Sequence, residues 1–510
     1  MSTTISSLSV TQIRAQTTSS VAAWSTEDVA SLTTQQIAAL SSAQVAALDT
    51  EDVDVMSSQQ LKAISQSAIV GLTLDQLAVL DQADIESLNT TAVGKLTTKQ
   101  IAGLSSDQAA ALTAAQVGSL SAAQLAALST DDIAGFSTAD MAAIRANAIS
   151  GLSADAIAVL TTGQIAALNT AAVAQLTTTQ LATLSSEQVG ALTSQQVTAL
   201  TAKQIVSLKT ESLAQLSPAQ ISALSTAAIT GLSTSQIVAL STSQVDALTS
   251  TQVKALTMTQ IAVFDEADFA TFTTGEIGAL VAKTATGITT AALASLSTNQ
   301  IAAFGTGAVS SLTTAQFAAL TTDQVEALTS EQVKALTSAQ TAVLSADAIA
   351  TISPAEFAGL TNKAVTGLST SIIASLTTDQ IAAMNTSAIT GLSTKQLAVL
   401  SSEQVAALST AQVAALSSRQ IGGFTTDNVT ALSAVQIAVI TTAGILGLSS
   451  TLIDALSTMQ VEAFTSAQVK TLRSDQLAAL SEEDIATFST ADIAAIANKA
   501  VSGLTTDAIA

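Results

Sequence analysis

The chain has 510 residues, no cysteine, no histidine, and a formal net charge of −22 from 16 basic and 38 acidic side chains. Disulfides, thiolate nucleophiles, zinc sites of the Cys/His type and His-based triads are thereby excluded. So few cations leave nothing to neutralise a phosphate backbone, which sets nucleic acid aside as a partner.

The start, MSTTISSLSVTQIRAQTTSS, lacks the basic and apolar regions of a Sec-type signal peptide. From Met1 onward one octapeptide pattern runs without insertion or deletion, about 64 times in 510 residues. With position 8 set on residue numbers divisible by eight, a clear instance is Thr329-Ser330-Glu331-Gln332-Val333-Lys334-Ala335-Leu336. Position 8 is apolar from Leu8 to Leu504 except at Gln16, and position 5 is Ile, Val, Leu, Met or Phe except at Ala109, Ala285 and Thr341. Position 1 is Ser, Thr, Asp or Asn, the exceptions being Met1, Arg145, Lys209, Val281, Gly305, Arg473 and Ala497.

Apolar spacing that alternates three and five is incompatible with a half-buried strand, which needs a spacing of two. One continuous helix also fails, because eight residues at about 100° each shift the apolar stripe by about 80° per repeat. One short helix per octad satisfies the pattern. A hydroxyl at position 1 with Gln at position 4 is a capping box, as in Thr329 and Gln332, and the preceding Leu with Val333 makes a hydrophobic staple. Both prolines, Pro218 and Pro354, fall at the first helical position, where a missing N–H costs nothing. Most of the 22 glycines fall at positions 6 and 7, the expected helix end. Most acids occupy positions 2 to 4, where the helix dipole favours them. Helices this short are unstable alone, so position-5 and position-8 side chains such as Val333 and Leu336 must meet in a shared interior. The predicted fold is all-α, an elongated α-solenoid with one short capped helix per repeat. The spacing does not give the number of octads per coil.

In chain order, residues 1–24 are atypical N-terminal repeats, departing from the consensus at Arg14, Gln16 and Trp24. Octads ending in Gly-Leu at Leu72, Leu152, Leu232 and Leu392 recur at multiples of 80 residues, and 131–160 resembles 483–510. Segmental duplication accounts for this; a ten-octad superperiod that returns a feature to one face is the alternative. Between Ser212 and Val245 no charge occurs, yet recurring hydroxyls and Gln interrupt the ~20 apolar residues a membrane span requires. The last repeat, 505–510, is incomplete, so a longer native chain or an end covered by another molecule is expected. The whole of 1–510 reads as a single continuous array.

Acidic clusters are the sharpest candidates for chemistry: Glu51, Asp52 and Asp54; Asp81, Asp84 and Glu86; Asp131 and Asp132; Asp265, Glu266 and Asp268; Glu482, Glu483 and Asp484. Carboxylates this close are candidate Ca²⁺ ligands, the last two clusters above all, although helix N-terminal acids on a solvated face explain them equally. No EF-hand, glycine-rich calcium nonapeptide, Walker loop, dinucleotide fingerprint or nucleophile elbow occurs. Ca²⁺ aside, no cofactor is expected, and no enzyme.

The motif L-[ST]-x-x-[QD]-[IV]-x-A, seen around Leu376-Thr377-Thr378-Asp379-Gln380-Ile381-Ala382-Ala383 with Gln one place on, resembles octad arrays of large bacterial secreted and surface proteins, often described as adhesin-like. That resemblance implies an extracellular or cell-surface location reached without a Sec signal, although the composition also fits a cytoplasmic protein. Read with the fold, it predicts a structural protein that polymerises with itself into a filament, sheath or layer. A spacer or binding region of a secreted adhesin, contacting cells or glycans, is the second reading, and an ice-binding solenoid the third.

Overall fold

The computed structural model describes residues 5–504; the incomplete repeat 505–510 lies outside them. Every octad from 1–8 to 497–504 carries one helical segment. These are 59 α-helices and four 3-10 turns, with no strand among the described residues. The α-solenoid expectation is met repeat by repeat.

Local chemistry dictates the segment length. In octad 329–336, Thr329 is extended (φ −70°, ψ 157°) and its side chain accepts the Gln332 N–H, so Ser330–Lys334 starts cleanly. Pro218 and Pro354 open their helices as expected. At the other end the chain re-extends: Leu184 has φ −58° and ψ 134°, followed by Ser185 at −69° and 163°. Two extended residues between helices make a corner, and a corner every eight residues winds the chain.

Two compact units result, Met1–Ala255 and Leu256–Ala510. In the first, Thr178–Thr183 packs on Ala202–Ser207, which packs on Thr226–Gly231; in the second, Thr306–Ser311, Ser330–Lys334, Pro354–Phe357 and Thr378–Ala383 form the same kind of row. Each helix therefore stacks on the one three octads along, and three octads make one coil in either unit. Position-5 and position-8 side chains fill the interior, Val333 at 0% and Leu336 at 3% exposure. Nine of the ten phenylalanines are buried, Phe488 being half-buried; in the second unit Phe264, Phe269 and Phe272 meet edge to face with ring centroids 5.3–6.3 Å apart. The atypical start packs as ordinary octads from Ser9, with Ile13, Val21 and Trp24 buried.

Two expectations change. No glycine has positive φ, so glycine does not serve as a left-handed helix stop. Position-7 glycines are instead where coils touch: a Cβ on Gly71 would lie 1.9 Å from the Ser42 carbonyl oxygen, and one on Gly367 2.0 Å from that of Ser338. The 80-residue rhythm also does not follow a stacking row. Ten octads are not a multiple of three, so in the first unit Gly71, Gly151 and Gly231 fall on three different rows.

Candidate functional site

The recurrent polar centre of each coil is position 4. Gln332 is 1% exposed. Its Oε1 accepts the Thr329 N–H at 2.9 Å, closing the capping box. Its Nε2 donates to the carbonyls of Ile301 at 2.9 Å and Phe304 at 2.8 Å, 31 and 28 residues earlier. In the first unit Gln76 likewise bonds Val45 at 3.0 Å and Leu48 at 2.6 Å. One amide thus caps its own helix and stitches its coil to the preceding one, using the carbonyls that a short helix leaves free. The sequence signal was the choice of Gln, since a capping box accepts Glu equally well.

Other side chains stand in where Gln is missing. Asn169 and Asn385, at position 1 above Ala172 and Ala388, donate to Ile144 at 2.7 Å and to Leu360 at 2.6 Å. Arg145, an exception at position 1 above Ala148, donates through Nε to the Gly118 carbonyl; Arg473 Nη1 reaches Leu446 at 2.7 Å in addition to the bonds of Gln476 in the same octad. Neither arginine was assigned a role from sequence. Asn428, one methylene shorter than Gln, still reaches the Leu400 carbonyl at 2.8 Å.

The acidic clusters separate into caps and surface. Asp265 Oδ1 accepts the Asp268 N–H at 2.9 Å and Asp268 Oδ2 the Asp265 N–H at 3.1 Å, while Glu266 sits exposed in the first turn. Asp484 caps Ser481 from position 4 at 3.1 Å, with Glu482 and Glu483 exposed beside it. Asp52, Asp84 and Asp132 occupy the same capping place. Among the described residues no group of three or more acidic side chains is arranged to hold a metal ion. Burial pushes the carboxyls of Asp52, Asp84 and Asp268 up. Hydrogen bonds from the Ser466 and Ser489 hydroxyls hold Asp492 down, as one from Arg473 does Asp475. Thr329 and Gln332 form a capping box, and Val333 and Leu336 are buried.

Concavities are shallow corners between rows. One of about 420 Å³ is lined by Ser58, Lys62, Glu86 and Asn89; another of about 490 Å³ by Glu331, Lys334, Gly359 and Asn385. Among the described residues every buried side-chain nitrogen or oxygen has a partner, and no helix is long and apolar enough to cross a membrane.

This geometry defines an all-α repeat protein whose recurrent position-4 amide joins one coil to the next. The model of the ALTTAQ repeat matches residues 21–54, 77–114, 133–170, 165–202, 173–210, 205–242, 229–258, 300–330, 309–338, 373–410, 406–434 and 453–482, and the chain belongs to that family. Ala407-Leu408-Ser409-Thr410-Ala411-Gln412 is one form of the signature here. No curated protein matches the chain.

Proposed function

We propose that the chain is a non-enzymatic structural protein of the bacterial cell surface or extracellular matrix, which assembles with copies of itself into a filament, sheath or layer. The observation that carries this reading is the complementarity of a coil's two edges. One edge offers buried amide donors such as Gln412, which bonds Ile381 at 2.8 Å and Met384 at 2.6 Å; the other offers the carbonyls that receive them. An edge of this kind meets the opposite edge of a second copy head to tail, a contact that does not close on itself and so propagates. The surface location comes from the resemblance to secreted octad arrays. Light scattering after size-exclusion chromatography, with electron microscopy, tests assembly over a concentration series with and without Ca²⁺. Concentration-dependent rods or sheets are expected; a monomer under every condition overturns the reading.

A further inference from the structure

Asn428 shows what a short side chain does at position 4. Its Oδ1 accepts the Thr425 N–H at 3.0 Å while its Nδ2 donates to the carbonyl 28 residues back, that of Leu400. Asp is isosteric with Asn. Asp52 and Asp84 stand at the same position in the first unit, and each uses Oδ2 to accept the N–H of its cap residue, at 3.2 Å from Asp49 and 3.1 Å from Asp81. The second oxygen of each carboxylate is then the chemical counterpart of the Asn428 amide nitrogen. The carbonyls 28 residues back are those of Trp24 and Met56. An ionised carboxylate has no proton to give them. A neutral carboxyl has one.

We propose that Asp52 and Asp84 are acid-closed stitches: taking up a proton lets each carboxyl O–H donate to the carbonyl of Trp24 or Met56, tightening the first coils as Gln tightens the others. No bond is made or broken beyond this proton uptake from solvent and the hydrogen bond that follows. Asp52 is 2% exposed and Asp84 half-buried, so neither charge is well solvated. The helix of Asp52, Thr50–Asp54, packs against Thr26–Ala30 and Leu74–Ala78. The charged groups these bring are Glu27, Asp28 and Asp75, beside Asp49, Glu51 and Asp54 of its own octad, all acidic. Asp84 lies on Gln82–Ser87, packed against Ser58–Ala63 and Ser106–Ala110. Those helices carry Lys62 and Asp107 and its own octad Asp81 and Glu86; the charges that act on Asp84 are Asp81 and Asp54, the latter thirty residues earlier.

Burial is the largest cause raising both carboxyls above their ordinary 3.8; the cap N–H opposes it, and neighbouring acids add to it. A folded-state value above the unfolded one means that stability is gained as pH falls through the raised value, and is fully present below 3.8.

The experiment uses the full chain, with segment-resolved hydrogen exchange at neutral pH and in mild acid, corrected for intrinsic rates. Emission of Trp24, the chain's one tryptophan, during urea unfolding gives a second readout. At neutral pH, D52N/D84N is expected to slow opening of Thr18–Val21 and Thr50–Asp54 by roughly fivefold per added bond. It is also expected to lose the slowing that acid produces in the wild type. E27Q/E51Q removes the same charge from the exposed third position and is expected to keep that acid response. Opening in D52N/D84N that is no slower than in the wild type at neutral pH overturns the proposal. So does an acid response that E27Q/E51Q abolishes equally.

Discussion

Residues 393–424 and 345–376, both in the second unit, are built alike yet joined differently to the coils before them. The first stretch carries Gln396, Gln404, Gln412 and Gln420, each bonded to carbonyls 28 and 31 residues back. In the second, position 4 holds Ala348, Glu356, Ala364 and Ile372, and no amide reaches back from it. Its helices keep the hydroxyl cap, as Ser345 does for the Ala348 N–H, and the same kind of buried core, with Ile349 at 2% and Phe357 at 0% exposure. Close contacts hold the coils together there without the stitch. Thr341 donates to the Ala364 carbonyl at 2.6 Å, and Gly359 and Gly367 meet the backbone at Ser330 and Ser338. Core and caps therefore suffice to make a coil, and the amides add a second, separable set of bonds between coils.

Changes to the shared core should hit both stretches equally and hardest. Ile349→Ala and Ile421→Ala, each at a fully enclosed position-5 site, are expected to cost about 2–5 kcal/mol of local opening free energy by segment-resolved hydrogen exchange. A cost confined to one stretch would break the comparison. Next comes Gln412→Glu, which keeps the cap but sets a buried negative charge against the Ile381 and Met384 carbonyls. About 2–4 kcal/mol is expected at neutral pH. Burial raises such a carboxyl, so stability should return as pH falls through its folded value; a variant insensitive to acid would show that the amide N–H bonds were unimportant. In the unstitched stretch Gly367→Ala forces a Cβ to within 2.0 Å of the Ser338 oxygen. About 1–3 kcal/mol is expected, whereas the same change at Gly307, where nothing lies within 4 Å, should be near neutral.

Sequence showed the octad's own chemistry because every determinant lies within eight residues. Thr329, Gln332, Val333 and Leu336 act as cap, cap partner and core, and Pro218 starts its helix. The coil was not legible, since its closing bonds join Gln332 to Ile301 and Phe304, a reach no local spacing encodes. A capping box explained Gln332 through its oxygen alone and concealed its nitrogen. The same blindness made Asp265, Glu266 and Asp268 look like one cluster. In the fold, Asp268 turns inward as a cap partner and Glu266 faces solvent. Glycine misled for a related reason: its place near helix ends suggested a backbone stop, but the residue it accommodates is three octads away.

The smallest expected effect is also the sharpest test of separability. Ala348 is 5% exposed, and the carbonyls 31 and 28 residues before it belong to Phe317 and Leu320. Ala348→Gln supplies the missing amide to those carbonyls, with the Ser345 N–H in place to donate to the new Oε1. A net gain of about 0.5–1.5 kcal/mol in local opening free energy is expected, read as slower exchange across Ala346–Thr351 and Thr314–Ala318. Loss instead of gain would mean that the coils at 345–376 are packed too closely for an amide. The stitch and the close contact would then be alternatives at each seam, fixed by whether position 4 is Gln or Ala, and no longer independent additions to a common core.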